Sequence, residues 1–197
     1  VKNMARRQSR KIKKGSGGNF HVEFKNDSQK FAWQSFQQHD VLFLIGPAGC
    51  GKTFLACAFG IEQVLNKEKK KIVLTRPIVE SGESLGFLPG EFEEKVGPYM
   101  LPMYDCIDKL LGRDNAERDK IDQFTEVAPV AYMRGRTFSD AVCIFDEAQN
   151  ATMMQLKLFL TRFDHNTKII ITGDPSQSDL QGDVALLEVM NKIKDVT

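Results

Sequence analysis

One stretch restricts what this chain can fold into, because an apolar run, a glycine-rich turn and a helical segment follow one another between residues 41 and 60. Val41–Ile45 is apolar throughout, which is typical of a buried strand. The residues GPAGCGKT follow, and Phe54–Leu65 then reads as a helix. The pattern G-x-x-x-x-G-K-[ST] between a strand and a helix is typical of a loop that binds nucleotide phosphates.

The residue types of this loop suit a phosphate ligand. Its glycines let the backbone turn tightly and direct successive N–H groups at phosphate oxygens, and the N-terminal end of the next helix adds its positive dipole. We expect Lys52 to bridge the β- and γ-phosphates of a nucleotide, and the Thr53 hydroxyl to bind Mg²⁺. The predicted nucleotide-binding residues of this stretch are Gly46, Pro47, Ala48, Gly49, Cys50, Gly51, Lys52, Thr53 and Phe54.

Composition limits the class of protein. The 197 residues are 42% hydrophobic and 27% charged, as in ordinary globular proteins. No apolar run has the length of a membrane-spanning helix, and the basic N-terminus lacks the apolar segment of a secretory signal. The four cysteines form no C-x-x-C pair, so we predict reduced thiols. We therefore expect a cytoplasmic protein without a membrane partner.

Charge is distributed unevenly along the chain. Seven of the 27 basic residues and no acidic residue lie in the first 18 positions, which leaves 20 basic and 26 acidic residues for the remainder. We predict that residues 1–19 form a basic, disordered tail and that residues 20–197 form a single domain. The tail could bind nucleic-acid phosphates or serve only as a solubilising extension, and the sequence leaves both interpretations open.

Predicted strands and helices alternate along the rest of the chain. The predicted strands are Phe20–Phe24, Val41–Ile45, Lys71–Thr75, Glu126–Tyr132, Ala141–Phe145 and Lys168–Thr172. The predicted helices are Ser28–Gln38 with Ser28 as N-cap, Phe54–Leu65, Tyr99–Leu111, Ala116–Phe124, Thr152–Phe163 and Asp183–Ile193. Ile78–Pro98 is predicted as a long functional loop that could include a short helix. This alternation predicts an α/β fold in which a mostly parallel sheet has helices on both faces.

Polar residues follow two of the predicted strands, at the edge where ligands bind in such sheets. We expect Asp146 to contact, through water, a Mg²⁺ ion held at Thr53, and Glu147 to accept a proton from the water that attacks the γ-phosphorus. Gln177, in the segment GDPSQ, could hydrogen-bond the γ-phosphate or that water. The predicted catalytic residues are therefore Lys52, Glu147 and Gln177, and the predicted metal ligands are Thr53 and Asp146.

Five segments together carry a resemblance to a known family. GPAGCGKT, LTRPIVESGESLGFLPG, YMRGRTF, IFDEAQN and ITGDPSQSDL occur in the order and form of the PhoH-like family of P-loop ATPases, whose motor core is similar to that of superfamily-one helicases. The match runs from about Gln29 to the C-terminus. The resemblance implies a RecA-like core that binds ATP and Mg²⁺. It also implies that Gln29 reads adenine; the alternative is a surface glutamine on a helix.

The resemblance also implies a nucleic-acid surface. Thr75, Arg76 and Pro77 match the helicase segment that touches the nucleic-acid backbone. Arg134 and Arg136 belong to the family's MRGRT segment, and their guanidinium groups suit a phosphate of either nucleotide or RNA. For all three arginines, a surface ion pair is the alternative interpretation.

These observations lead us to expect an ATP hydrolase that acts on single-stranded RNA, or on DNA, as a motor or as a helicase-like remodeller. An ATP-dependent switch for a protein partner, with slow hydrolysis, is the alternative, whereas Glu147 and Gln177 disfavour a small-molecule kinase. The chain has one phosphate loop and one Asp-Glu pair, which is half of a two-core site. A neighbouring subunit could complete it, and the resemblance implies a ring-shaped homohexamer.

Overall fold

A computed structural model describes residues 22–77, 92–113, 116–179 and 185–194, without the side chains of residues 92–95. Within these ranges the helices are α1 Asp27–Gln38, α2 Lys52–Leu65, α3 Phe92–Leu111, α4 Ala116–Gln123, α5 Met153–Leu160 and α6 Ala185–Lys194. The strands are β1 Val41–Ile45, β2 Lys71–Thr75, β3 Thr125–Val127, β4 Ala141–Phe145 and β5 Lys168–Gly173. The predicted tail at 1–19 and most of the predicted loop at 78–98 lie outside the described residues.

All pairings between the described strands are parallel, and the strand order is β1-β5-β4-β2-β3. The strand before the phosphate loop and the strand before the Asp-Glu pair therefore lie on either side of β5. Ile45 pairs with Gly173, and Thr75 pairs with Phe145, so the carboxyl ends of neighbouring strands are level. This register brings the segments that follow four strands to one edge of the sheet.

Alternate residues of each strand pack against opposite layers of helices. Ile72 and Leu74 of β2 belong to the core that contains α1, α2, α3 and α4. Val73, between them, belongs to the core that contains α5 and α6. Because parallel strands covered on both faces must be apolar on both faces, β1, β2, β4 and β5 each contain an unbroken apolar run, whereas the edge strand β3 is Thr-Glu-Val. The predicted α/β fold, with a parallel sheet between two layers of helices, is confirmed.

Helix α1 is fixed at its C-terminal end by a lysine from the sheet. Lys168 Nζ donates hydrogen bonds to the backbone carbonyls of Phe36, Gln37 and His39, at 2.7, 3.2 and 2.9 Å. An ammonium group at these unpaired carbonyls is favourable because they form the negative end of the helix dipole. Lys168 begins β5, so the other end of α1, with Gln29, points towards the carboxyl edge of the sheet.

The N-terminal part of the described chain differs from the prediction. Val22–Phe24 is not a strand, because Phe24 instead packs its ring against Trp33 and Phe59, with ring centroids 6.2 and 6.4 Å apart. The N-cap of α1 is Asn26, whose side chain accepts from the Gln29 N–H, and not Ser28. Asparagine and serine cap helices about equally well, so the sequence alone did not distinguish them.

Two proline-containing segments were also predicted wrongly. Helix α3 begins at Phe92 and includes Pro98 and Pro102, although the sequence predicted a loop to residue 98. Buried side chains at helical spacing on α3, such as Met103 and Ile107, outweigh the cost of the prolines. The strand predicted at Glu126–Tyr132 ends at Val127, and a 3₁₀ turn follows at Val130–Met133.

Smaller differences concern helix ends. Helix α5 ends at Leu160 and not at Phe163, and Thr152 is its N-cap, in a capping box with Gln155.

The four cysteines are free thiols, as predicted. None of the helices in the described ranges combines the length and apolar character needed to cross a bilayer.

Candidate nucleotide-binding site

The phosphate loop turns through two left-handed glycines. Gly49 has φ 76° and Gly51 has φ 94°, values that cost little only at glycine. Gly51 is the N-cap of α2 and gives that helix no side-chain cap, so the first-turn N–H groups remain available for an anion. The loop is tied to the neighbouring strand because the Gly46 N–H donates to the Gly173 carbonyl at 3.3 Å.

Lys52 folds back over the loop. Its ammonium donates to the carbonyl oxygens of Gly46 at 2.6 Å and Pro47 at 2.9 Å. Both bonds hold the positive charge at the mouth of the loop. A phosphate bound there would meet the ammonium at close range.

Three side chains from different elements meet below the loop. The Thr53 hydroxyl donates to Asp146 Oδ1 at 2.7 Å, and the Thr172 hydroxyl donates to the same oxygen at 2.5 Å. Asp146 is 1% exposed. Burial raises the pKa of the Asp146 carboxyl, and the two hydroxyl hydrogen bonds partly oppose that shift.

This cluster has the chemistry of a magnesium site. Hydroxyl and carboxylate oxygens are the hard ligands that Mg²⁺ prefers, and the ion usually takes only one or two protein ligands beside phosphates and water. Thr53 and Asp146 supply such a pair across 93 positions of sequence. A buried carboxylate with a raised pKa gains most from a nearby cation, so the residues fit the ion.

Glu147 follows directly and has an unusual backbone. Its φ of 54° lies in the left-handed region, which costs a non-glycine residue roughly 1 kcal/mol or more. One carboxylate oxygen lies 3.9 Å from Arg76 Nη2. The other accepts from Gln149 Nε2 at 2.5 Å. The Glu147 side chain remains 33% exposed, so water can reach it.

Gln149 joins the two polar segments that follow β4 and β5. While its Nε2 donates to Glu147, its Oε1 accepts from the Asp174 backbone N–H at 3.0 Å. The Asp174 carboxylate then accepts from Gln177 Nε2 at 2.7 Å. Hydrogen bonds from Ser176 hold the pKa of the Asp174 carboxyl below its usual range, with a smaller effect from Lys52.

The sequence prediction included neither Gln149, Asp174 nor Thr172 among the site residues. All three stand in or beside segments already recognised, IFDEAQN and ITGDPSQSDL. Gln149 is 2% exposed, and a buried amide needs partners for both of its ends. A polar residue two positions after the Asp-Glu pair was therefore the available signal.

Gln29 lies beside the phosphate loop. Its Nε2 is 4.0 Å from the position that a Cβ on Gly51 would occupy, and its Oε1 accepts from the Lys25 N–H at 2.8 Å. The side chain is therefore close enough to the loop to meet a base attached to a nucleotide bound there. Phe54, at the start of α2, is partly buried against the core.

The segment predicted to touch a nucleic-acid backbone is mostly buried. Thr75 and Pro77 are buried, and the Thr75 hydroxyl has no hydrogen-bond partner among the described atoms. Arg76 keeps 24% of its side chain exposed and donates to the Tyr99 carbonyl in α3 at 3.2 Å. In this conformation, only Arg76 of the three residues presents a side chain to a ligand.

The two arginines of the MRGRT segment differ. Arg136 forms an ion pair with Glu126 of β3 and lies over the Phe138 ring, 4.9 Å from its centroid. Arg136 therefore forms a surface ion pair, which was the alternative interpretation to a phosphate contact. Arg134 is exposed and contacts the Met154 sulfur at 4.0 Å.

Comparison with known proteins gives one consistent result. A profile of the family described as "PhoH-like protein" matches residues 21–197. The PhoH-like protein of Bacillus subtilis is 51% identical over 159 residues, which cover 81% of this chain and 50% of the relative. The PhoH-like protein of Synechocystis is 49% identical over 163 residues, which cover 81% of this chain and 48% of the relative. Protein PhoH of Escherichia coli is 43% identical over 159 residues, which cover 79% of this chain and 45% of the relative. The chain thus spans about half the length of these curated relatives.

Proposed function

Because the chain belongs to the PhoH-like protein family, we propose that it hydrolyses ATP at the carboxyl edge of its sheet. The observation that carries the proposal is the hydrogen bond between the Thr53 hydroxyl and buried Asp146. That bond joins the phosphate loop to the end of β4, where an ion shared with the nucleotide phosphates would sit. Gln29 and the glycines of the loop would hold the base and the phosphates.

Each residue of the site has a separate task in this proposal. Thr53 and Asp146 would hold Mg²⁺, which, when bound, neutralises charge on the β- and γ-phosphates. Lys52 would exchange its carbonyl partners for phosphate oxygens. Glu147 would take the proton of the attacking water, and Gln177 would hydrogen-bond the γ-phosphate or that water.

We also propose that nucleic acid controls this hydrolysis, with single-stranded RNA as the substrate of a motor or remodeller in the cytoplasm. Arg76 supports this idea because it lies within 3.9 Å of Glu147 and also donates a hydrogen bond to α3. If a nucleic-acid phosphate bound Arg76, the charge near the Glu147 carboxylate would therefore change.

ATP turnover of the wild type, measured with and without single-stranded RNA, tests the proposal. We expect magnesium-dependent hydrolysis that RNA stimulates, and no hydrolysis by Lys52→Ala, which lacks the cation for the phosphates. Hydrolysis that RNA leaves unchanged would favour the switch for a protein partner. A wild type that hydrolyses no ATP under either condition would overturn the proposal.

The oligomeric state is a further part of the proposal. In superfamily-one motors, to which the sequence is similar, ATP lies between two cores, and a ring of identical subunits would provide the second core from a neighbour. We expect a homo-oligomeric ring, with six subunits, whose activity per subunit falls on dilution. Light scattering during turnover checks this, and full specific activity from a strict monomer would exclude a shared site.

A further inference from the structure

A cavity of about 410 Å³ lies at the carboxyl end of β3, the edge strand next to β2. One wall is helix α3, which contributes Val96, Met100 and Tyr104. The opposite wall is the chain that leaves β3, with Pro129 and then Tyr132 in the 3₁₀ turn. Its volume lies in the range of small-molecule pockets and suits a single flat ring with its sugar, but not a helix or a duplex.

The lining of this cavity combines aromatic rings with a guanidinium. Tyr104 is half-buried in the wall, whereas Tyr132 is 58% exposed. Arg136, also in the lining, is exposed, and its ion pair with Glu126 holds it in place. Arg134 adds a second exposed positive charge two residues after Tyr132.

These properties select one class of ligand. Aromatic faces stack on nucleobases whatever their sequence, and nearby arginines attract the phosphates that follow a base. Bases are available in this way only in single strands, because stacked pairs in a duplex hide their faces. A free anion would not need the apolar walls, and an aliphatic chain would not need the arginines.

We propose that this cavity binds one unpaired base of a single-stranded nucleic acid, with Tyr132 as the stacking surface and Arg136 and Arg134 beside the adjoining phosphates. The proposal rests on the nucleic-acid part of the proposed function. It adds a base-binding residue, Tyr132, to the phosphate contacts expected of the arginines. Because stacking does not depend on base identity, we expect weak sequence preference.

The test uses two fluorescent ten-nucleotide strands, oligouridylate and the same backbone with abasic sites in place of the bases. We expect the wild type to bind the base-bearing strand at least about tenfold more tightly than the abasic strand. Tyr132→Ala should lose about that factor on the base-bearing strand and keep the abasic affinity. Tyr132→Phe should bind like the wild type, because it keeps the ring.

Phe124→Ala provides the matched control. Phe124 is an aromatic residue, 40% exposed, directly before the opposite, amino-terminal end of β3. It should change neither affinity. Thermal unfolding of all the variants checks that none has lost its fold. Equal effects of Tyr132→Ala and Phe124→Ala on binding would overturn the proposal.

Three further outcomes show how this proposal stands relative to the proposed function. Equal wild-type affinity for the two strands would overturn the base pocket, whereas RNA-stimulated ATP turnover could persist through backbone contacts. If Tyr132→Ala changes the oligomeric state and not RNA affinity, the cavity receives a side chain of a neighbouring subunit, and the proposal is wrong. A wild type that binds neither strand overturns the pocket and the nucleic-acid part together, while ATP turnover that requires Lys52 would still stand.

Discussion

The two sides of the sheet's carboxyl edge are built from different kinds of side chain. On the side of β1, β5 and β4, short side chains at strand ends and at the start of α2 meet at 2.5 to 2.7 Å around the buried oxygen of Asp146. On the side of β2 and β3, long arginine and tyrosine side chains are mostly exposed, and Arg136 is held by an ion pair with Glu126.

This difference affects what binding costs on each side. A short side chain on a strand end loses little conformational entropy when a ligand arrives, so the Asp146 cluster is preorganised. Exposed arginines lose more entropy, and salt screens their attraction for phosphate. We therefore expect substitutions on the first side to change turnover, and those on the second side to change affinity in a salt-dependent way.

The largest effect should come from Glu147→Gln, which keeps the shape of the side chain but cannot take a proton from water. We expect turnover to fall about 100-fold or more while ATP binding is retained. Steady-state hydrolysis and titration with a fluorescent ATP analogue measure the two quantities. Glu188→Gln, which changes an exposed side chain of α6, is the control. Turnover of Glu147→Gln at the wild-type rate would show that another group is the base.

Gln149→Met tests whether the buried amide positions Glu147. The change keeps the length of the side chain but removes the hydrogen bonds to Glu147 and to the Asp174 N–H. We expect kcat to fall about tenfold with KM nearly unchanged, and stability to fall by about 1 to 3 kcal/mol because a buried N–H loses its partner. Gln123→Met, on the exposed end of α4, is the control. A rise in KM with kcat unchanged would mean that Gln149 acts on ATP binding instead.

Arg76→Ala tests whether Arg76 acts mainly on ATP or mainly on RNA, because this residue contacts both Glu147 and α3. We expect RNA affinity to fall several-fold and ATP affinity to fall less. The slope of the logarithm of RNA affinity against the logarithm of salt concentration should become shallower by about one. Filter binding at several salt concentrations measures this. Arg113→Ala, which removes an exposed partner of Asp108, is the control. A larger loss of ATP affinity than of RNA affinity would assign Arg76 to the nucleotide side.

The smallest effect concerns the ion pairs of β3. Burial acts to raise the pKa of the Glu126 carboxyl, but hydrogen bonds from Lys71 and Arg136 outweigh it and lower that pKa. Glu126 therefore adds stability above its ordinary pKa of about 4.3, and this contribution is lost as the pH falls through the lowered value. We expect Glu126→Gln to cost about 0.5 to 1 kcal/mol at pH 7, and progressively less as the pH falls through the lowered pKa of Glu126.

Urea unfolding at several pH values measures this cost. Glu23→Gln, which changes an exposed glutamate near the start of the described chain, is the control for the loss of one negative charge. A cost for Glu126→Gln that is the same at pH 7 and pH 3 would show that packing, and not charge, holds Arg136.

Much of the fold could be predicted because neighbouring residues determine it. Apolar runs such as Lys71–Thr75 and Ala141–Phe145 match β2 and β4, and helix α2 follows the phosphate loop as expected. The order of the strands could not be predicted, since it depends on contacts between segments far apart in sequence. Prolines also misled the prediction at α3, because packing against α2 decides that helix and not local propensity.

The site divides in the same way. The sequence identified Thr53, Asp146 and Glu147 because each lies at a strand end or helix start within a recognisable motif. It could not identify the bridge from Gln149 to Asp174, since that contact joins residues 25 positions apart through a side chain. Whether Arg136 meets a ligand or pairs with Glu126 was equally undecided, because both partners satisfy a guanidinium.

The two contacts of Arg76 have a consequence for how ligands influence each other. One guanidinium nitrogen donates to the Tyr99 carbonyl of α3, and another faces Glu147. A ligand that displaces α3 changes the position of Arg76 and therefore the charge that Glu147 experiences. Thermodynamic linkage makes such an influence mutual, so a strand that tightens ATP binding by some factor must itself be held more tightly, by that same factor, once ATP is bound. Hydrolysis of ATP would then weaken the binding of the strand by the same factor, so that one chemical step changes the affinity of both sites.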